Sequence, residues 1–329
     1  MMVPMMVPTT AEPLHGGLVT LGETMAALVA RDIGPLRHQA QLAVHVGGAE
    51  SNVAIAVARL GGAATWLGRV GDDDVGDLVL AQLRGEGVDV RHVVRDEQAP
   101  TGLLVKTRRT ATVSRVLYYR AGSAGSRLAP SDLPIDRIRA AGVLHVTGIT
   151  PALSASARAA TFAAVEEARA AGVPVSFDVN HRSALWRDTD PGPVLADLAV
   201  RTDVLFVGED ECAVLGTTGE PRAVVAALTE LGPPSVILTR GARGAVALAE
   251  GRFVEVPALS VTAVDPVGAG DAFVGGYLAE LIAGSEVGTR LATAAACGAF
   301  AVTVPGDWEG LPTRADLALL ARPDGSVVR

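Results

Sequence analysis

The sequence predicts an α/β fold in which helices cover both faces of a mostly parallel central sheet. The chain has 329 residues, and 49% of them are hydrophobic, which is enough to bury the core of one large domain. Short apolar runs alternate with segments of helical periodicity along most of its length. This alternation is typical of parallel strands that are buried between two layers of helices.

Local patterns predict the individual strands and helices. Apolar runs predict strands at residues 18–22, 25–30, 64–70, 143–146, 173–178, 204–207, 235–239 and 244–249, with 88–94 leading to a sheet edge. Helical periodicity predicts helices at residues 50–61, 74–84, 154–171, 193–200, 209–215, 220–231, 271–283, 286–300 and 313–321. Asp73 or Asp74 is the expected N-cap of the second of these helices.

One segment interrupts the alternation of strands and helices. Residues 103–107 and 112–118 are rich in apolar and β-branched residues, and only a short polar stretch separates them. They predict a hairpin with no helix between its strands. Together with the extended residues 41–46, the hairpin predicts a small sheet that projects from the main body.

The composition argues against several classes of function. The formal net charge is −8 and no basic block is present, so nucleic-acid binding is not expected. The N-terminus has no basic n-region, and the longest apolar stretch, at residues 291–304, is too short to span a bilayer. We therefore expect a cytoplasmic protein without a membrane partner. Lys106 is the only lysine, so the chain has no P-loop, and a Schiff-base enzyme would have to use this residue.

The most informative motif is a glycine-rich turn that opens a helix. Gly268, Ala269 and Gly270 allow the backbone to turn tightly with its N–H groups facing one concavity, and the helix N-terminus adds partial positive charge. Such a site suits an anion, so a carboxylate at its rim is out of place unless it acts chemically. We interpret Asp271 as a general base that accepts the proton of a hydroxyl attacking a phosphoryl group. The alternative is that Asp271 only caps the helix.

A second glycine turn opens the predicted helix at 50–61. Gly47 and Gly48 permit a ligand to approach the backbone. The side-chain amide of Asn52 can both donate and accept hydrogen bonds, which suits a sugar hydroxyl. An ordinary tight turn capped by Ser51 or Asn52 is the alternative.

Further polar residues follow predicted strands, where the ligands of open parallel sheets bind. Tyr118 and Arg120 end the hairpin and offer a hydroxyl and a planar cation, and Arg182 could hold a phosphate or a carboxylate. Glu211 could hold water around Mg²⁺. The turn at 239–244 contains two glycines and would let a nucleotide lie against the backbone. The alternatives are exposed arginines, an acid at a helix N-terminus and a plain hairpin turn.

Taken in order, these segments resemble the ribokinase-like (PfkB) carbohydrate kinases. The segment 47–61 is similar to the N-terminal glycine signature of that family, and the segment 265–273 is similar to its C-terminal signature. The resemblance extends over residues 17–321. Within the family, the segments that most resemble the 2-keto-3-deoxygluconate kinases are 118–120, 122–126, 148–154, 178–182 and 306–310.

The resemblance implies a ribokinase-like three-layer α/β/α fold with a small β-sheet lid over the substrate. It implies one kinase domain at 17–321, a lid formed by about residues 31–48 and 100–122, and flexible tails at 1–16 and 322–329. The implied reaction uses ATP and Mg²⁺ to phosphorylate the primary hydroxyl of 2-keto-3-deoxygluconate. A monovalent cation is a further candidate cofactor.

The family's residue roles can be transferred by position. Asp271 is implied as the base, with Gly268, Ala269 and Gly270 as the anion hole. The predicted contacts of the sugar acid are Gly47, Gly48, Asn52, Tyr118, Arg120, Arg182, Asp271 and Asp307. The predicted contacts of ATP are Asn180, Thr239, Gly241, Ala242, Gly244, Gly268 and Gly270. Glu211 stands at the position of the glutamate that organises Mg²⁺.

Two positions depart from the family pattern. Gly208 stands where the family usually has an asparagine, three residues before the Mg²⁺-organising glutamate. Leu104 stands where the lid strand of the keto-deoxygluconate kinases has a tyrosine, and losing that hydroxyl would cost roughly 0.5–1.5 kcal/mol of binding. The alternatives are a kinase for fructose, ribose or a nucleoside and a non-catalytic sugar or nucleotide sensor. The apolar face of the projecting sheet also suggests a homo-oligomer that pairs its lids.

Overall fold

Strands form two main sheets in the computed structural model, which describes residues 13–39, 41–110, 113–187 and 189–321. The strands are β1 (Leu18–Leu21), β2 (Met25–Ile33), β3 (Leu42–Gly47), β4 (Ala64–Leu67), β5 (Arg69–Gly71), β6 (Val94–Asp96), β7 (Leu103–Arg108), β8 (Ser114–Tyr119), β9 (Val143–Thr147), β10 (Val175–Asp178), β11 (Val204–Gly208), β12 (Ser235–Thr239), β13 (Ala245–Ala249) and β14 (Arg252–Val256). The helices are α1 (Ala49–Arg59), α2 (Asp74–Gly85), α3 (Ile135–Arg139), α4 (Thr150–Leu153), α5 (Ala155–Ala170), α6 (Gly192–Ala199), α7 (Pro221–Glu230), α8 (Ala269–Ile282), α9 (Val287–Ala301) and α10 (Arg314–Leu317).

The larger sheet has eight strands in the order β14-β13-β12-β11-β10-β9-β1-β4. The strands from β4 to β12 in this order are parallel, and β13 and β14 extend the sheet antiparallel. One core cluster contains residues of α1, α2, α8 and α9, and the other contains residues of α3, α5, α6 and α7. Helices therefore cover both faces of the sheet, and the predicted three-layer α/β/α fold is confirmed.

The smaller sheet has four strands in the order β3-β2-β7-β8. The predicted hairpin is present as antiparallel β7 and β8, with Leu104 opposite Tyr118, although residues 111 and 112 lie outside the described residues. β2 begins at Met25, ahead of the predicted lid segment 31–48. Val44, Tyr118 and Tyr119 are exposed on this sheet, and pairing of lids between copies stays a prediction.

One predicted strand is divided in the structure, and one observed strand was not predicted. The strand predicted at 64–70 divides into β4 and β5 at Gly68, where a Cβ would lie 2.4 Å from the ring of Trp66. β14 was not predicted. It follows a tight turn in which Glu250 and Gly251 have φ of 53° and 70°, a left-handed pair that is typical of two-residue hairpin loops.

The helix predicted at 209–215 is wrong over most of its length, because only a 3₁₀ turn at Cys212–Leu215 is present. The carboxylate of Glu211 accepts hydrogen bonds from the backbone N–H groups of Gly208 and His181, at 2.9 and 2.7 Å. An acidic side chain that accepts hydrogen bonds from nearby backbone N–H groups stabilises a non-helical backbone and so competes with helix formation. The predicted cap of α2 is confirmed for Asp73, which accepts from the N–H of Gly76 at 2.7 Å.

The predicted terminal tails fall mostly outside the described residues. Of the predicted tails, residues 1–12 and 322–329 lie outside the described residues, and the N–H of Leu14 donates to the carbonyl of Ile282 at 2.8 Å. Across the described ranges, no helix combines the length and the apolar character that a membrane span requires.

Candidate active site

A cavity of about 580 Å³ lies at the carboxyl ends of the parallel strands. Asp178, Gly208 and Thr239 end β10, β11 and β12 and line its floor, and Leu104 and Tyr118 of the smaller sheet line the opposite wall. The predicted site residues that line it are Gly47, Gly48, Asn52, Tyr118, Arg120, Asn180, Arg182, Glu211, Thr239, Gly268, Gly270, Asp271 and Asp307. The cavity is therefore large enough for a small ligand and combines residues from both sheets.

The glycine-rich turn forms one end of this cavity. Gly268 has φ 77°, and a Cβ there would lie 1.8 Å from the carbonyl oxygen of Asp307, so this position requires glycine. In the described part of the chain, the N–H groups of Gly270 and Asp271 donate no hydrogen bond to another protein group. A Cβ on Gly270 would meet nothing within 4 Å. The start of α8 thus offers free N–H groups and open space to an anion.

Asp271 lies in the first turn of α8, and the N-cap position belongs to Gly268, so Asp271 does not cap the helix. Its side chain is 91% buried by accessible area, with a relative exposure of 9%. The Nδ2 of Asn52 donates to Oδ2 of Asp271 at 2.7 Å. The other carboxylate oxygen of Asp271, Oδ1, has no protein partner in the described ranges. Burial raises the pKa of Asp271 to about 7, although Asn52 and the nearby charge of Arg182 oppose this rise. A carboxylate with such a pKa can accept a proton near neutral pH.

Glu23 was missed by the sequence analysis, although it lies in the cavity wall directly after β1. Its Oε2 accepts from Nε and Nη2 of Arg120, at 2.7 and 2.6 Å, and its Oε1 accepts from the hydroxyl of Ser123. The Glu23 side chain is 1% exposed and that of Arg120 is 10% exposed. The ion pair therefore joins the main body to the end of the smaller sheet and neutralises much of the charge of Arg120.

Glu50, in the first turn of α1, is a second carboxylate in the cavity wall that the sequence analysis missed. Its Oε1 accepts from the hydroxyls of Thr147 and Thr150, both at 2.7 Å, whereas its Oε2 is buried and has no hydrogen-bond partner in the described part of the chain. Burial raises the pKa of Glu50. No local sequence pattern marks Glu23 or Glu50, because each is an isolated acid whose partners are distant in the chain.

Arg182, a predicted contact of the sugar acid, lines the cavity together with the acids Asp178 and Glu211. Arg182 is exposed, and within the described ranges it forms no ion pair with a carboxylate. Burial, Glu211 and Asp271 raise the pKa of Asp178 well above its ordinary value. Among the described residues, no group of three or more His, Cys, Asp or Glu side chains could hold a metal ion. A magnesium ion here would depend mainly on phosphate and water oxygens, which is common for this ion.

Some predicted nucleotide contacts lie in the cavity and others do not. Asn180 lines it with φ 36°, and its buried Oδ1 has no partner in the described part of the chain. Ala269, Gly241, Ala242 and Gly244 do not line the cavity, and the last three belong to the turn between β12 and β13. The ATP contacts of Gly241, Ala242 and Gly244 stay predictions, as does the place of Ala269 in the anion hole.

The chain resembles known carbohydrate kinases over nearly its whole length. A family model described as pfkB family carbohydrate kinase matches residues 16–314. A 2-dehydro-3-deoxygluconokinase from Bacillus subtilis (strain 168) is 38% identical, over 91% of this chain and 94% of the relative. A 2-dehydro-3-deoxygluconokinase from Thermoproteus tenax is 39% identical over 90% and 91%. A fructokinase from Salmonella typhimurium is 37% identical over 82% and 90%.

Solved structures share the fold. A PfkB protein from Polaromonas sp. JS666 superposes with a TM-score of 0.83 at 38% identity, covering 91% of this chain and 98% of that one. A double-mutant fructokinase from Vibrio cholerae O395, in a fructose, ADP and potassium ion bound form, has a TM-score of 0.83 at 28% identity and covers 95% and 100%.

Proposed function

Because the chain belongs to the pfkB family of carbohydrate kinases, we propose that it phosphorylates the primary hydroxyl of 2-keto-3-deoxygluconate at the expense of ATP. Membership of this family makes the chain a sugar phosphotransferase. One observation supports the chemistry most directly. Asp271 is a buried carboxylate with a pKa of about 7, and it stands beside the free N–H groups at the start of α8.

The residues of the turn have separate roles in phosphoryl transfer. Oδ1 of Asp271 accepts the proton of the attacking hydroxyl, while Asn52 holds Oδ2 and so fixes the direction of the free oxygen. The N–H groups of Gly270 and Asp271 stabilise the negative charge on the transferring group. When bound, ATP with Mg²⁺ supplies that group. The smaller sheet covers the cavity and excludes water, which limits the hydrolysis of ATP.

The residues present fit the magnesium nucleotide. The free N–H groups at the start of α8 and the open space beside Gly270 suit a phosphate chain. Glu211 borders the cavity, and the second lone pair of each of its oxygens is available to a water molecule of the ion. A monovalent cation stays a candidate cofactor with no residue assigned to it.

Acidic side chains outnumber arginines in the cavity lining, and it is Arg182 that favours a sugar acid over a neutral sugar. Arg120 is paired with Glu23, but Arg182 brings a positive charge that no carboxylate in the described part of the chain neutralises. A substrate carboxylate would supply this missing partner. Fructose is the main competing substrate, because a more distant relative, 37% identical over 82% of this chain, is a fructokinase.

The decisive experiment compares substrates in a coupled assay of ADP release with Mg·ATP. We expect kcat/KM for 2-keto-3-deoxygluconate to exceed that for fructose. Arg182→Met should raise KM for the sugar acid about tenfold or more and leave KM for fructose nearly unchanged. Arg201→Met, which removes a partly buried arginine that does not line the cavity, is the control. Preference for fructose in the wild type would refute the substrate assignment.

The base assignment has its own test. Asp271→Asn should lower kcat by at least about a hundredfold and leave ATP binding nearly unchanged. Asp197→Asn removes an exposed carboxylate of α6 and serves as the control. Near-normal turnover of Asp271→Asn would show that another group accepts the proton, and absence of ADP release by the wild type with any sugar would favour a sensor.

A further inference from the structure

The only lysine of the chain is buried in the smaller sheet beside the segment that carries the glycine-rich turn. Lys106 lies in β7 and is 4% exposed. Its Nζ lies 2.6 Å from Oδ2 of Asp265 and 3.7 Å from Oδ1 of Asp307. Lys106 and Asp265 do not line the cavity, so neither is needed to contact a substrate. Their ion pair therefore requires another explanation.

Asp265 is the residue through which Lys106 reaches the turn. Its Oδ1 accepts from the N–H of Val267 at 3.3 Å, and its Oδ2 accepts from the N–H of Gly306 at 3.4 Å. The backbone N–H of Asp265 donates to the carbonyl of Val302 at 3.2 Å. One carboxylate thus binds the start of the segment 265–271 and the neighbouring segment 306–309.

The two segments are in direct contact behind the anion site. The Cα of Gly268 faces the backbone of Asp307 so closely that no side chain fits between them. A shift of Asp265 would therefore move Val267 and Gly268 relative to Asp307. Gly270 and Asp271 follow within one helical turn, so the same shift would displace the N–H groups and the base.

Other contacts hold the smaller sheet in place without Lys106. Nε1 of Trp308 donates to the carbonyl of Val46 at 2.8 Å, and Nδ1 of His45 lies 2.6 Å from Oε1 of Glu309. These two contacts connect β3 to the segment 306–309. Removing the lysine charge should therefore leave the sheet seated and affect mainly the geometry of the turn.

We propose that Lys106 is a positioning residue for phosphoryl transfer, whose ammonium group orients Asp265 and thereby holds the anion-binding turn in its productive geometry. The proposal rests on the proposed function of that turn. A buried ion pair adds little net stability compared with apolar residues of similar volume. Holding a specific geometry is a role that apolar packing would not reproduce, because the carboxylate of Asp265 needs a charged partner to stay oriented toward two N–H groups.

The test separates charge balance from positioning. Lys106→Met leaves Asp265 and Asp307 without a cation, so both the melting temperature and kcat should fall. The double variant Lys106→Met/Asp265→Asn removes the uncompensated charge of Asp265, the nearer of the two carboxylates. We expect its melting temperature to return close to the wild-type value, while kcat stays about 10- to 100-fold lower and KM for ATP and sugar changes less than about threefold. Arg115→Met, an exposed cation of β8, is the matched control.

A second measurement does not depend on the substrate. Hydrogen exchange of the amides in residues 267–270 should be faster in the double variant than in the wild type and the Arg115→Met control. The proposal is overturned if the double variant recovers kcat along with its melting temperature, or if exchange in this segment is unchanged. If the preferred sugar is not 2-keto-3-deoxygluconate, the comparison is made with the sugar that the wild type prefers, so that failure of the substrate assignment is recognised separately.

Discussion

Replacing Asn52 with alanine should move the pH dependence of catalysis to higher pH. The Nδ2 of Asn52 donates to Oδ2 of Asp271 at 2.7 Å, and this bond stabilises the charged form of the base. A hydrogen bond to a charged group contributes about 1.5–3 kcal/mol, which corresponds to about 1–2 pH units at 1.36 kcal/mol per unit. The wild-type pKa of Asp271 is about 7. Asn52→Ala should therefore place it between about 8 and 9.

The assay is the pH profile of kcat/KM for the sugar, which reports the pKa of the free enzyme's base. Activity should rise as pH increases through the pKa of Asp271, because only the carboxylate accepts a proton. The rising limb should lie near pH 7 in the wild type and at higher pH in Asn52→Ala. Ser51→Ala is the control, since this buried hydroxyl donates to the carbonyl of Gly48 and not to Asp271. A limb that stays in place, or moves to lower pH, would refute the proposed role of Asn52.

Three further predictions concern stability and specificity. The pKa of Asp271 rises from its ordinary 3.8 to about 7 on folding, so stability that depends on the neutral carboxyl is lost as pH rises through about 7. In urea unfolding, Asp271→Asn should exceed the wild type in free energy of unfolding by up to about 4 kcal/mol at pH 8, and by little at pH 4; equal stability at both values would contradict the buried, raised carboxyl. Glu23→Ala should lower the free energy of unfolding by about 3–5 kcal/mol, because it leaves the largely buried Arg120 without its partner. A loss below about 1 kcal/mol would show that water solvates the ion pair. Leu104→Tyr should lower KM for 2-keto-3-deoxygluconate about two- to tenfold relative to fructose, as expected for one added hydrogen bond, and Val105→Tyr on the same strand is the control.

The site was partly predictable because some of its chemistry is encoded in short segments. The turn at 268–271 and the glycine pair at 47–48 were recognised from their residue types, and the structure places them in one cavity. The N-cap of α2 was predictable for the same reason, because Asp73 accepts from the N–H of Gly76, only three residues away. The helix predicted at 209–215 failed because the carboxylate of Glu211 binds the N–H of His181, which belongs to a loop 30 residues earlier. Periodicity cannot anticipate such a competing acceptor.

Periodicity and turn residues were sufficient for the class of fold, for most of its elements and for the position of Asp271 after a glycine-rich turn, since each depends on neighbours within a few residues. The tertiary structure determines which residues, distant in the chain, contact the site residues. Asn52 meets Asp271 across 219 positions and Arg120 meets Glu23 across 97, and burial raises the pKa of Asp271 to a value useful for catalysis. Desolvation and long-range hydrogen bonds exist only in the packed protein, so the same carboxylate is an ordinary acid in the unfolded chain and titrates near neutral pH in the folded one.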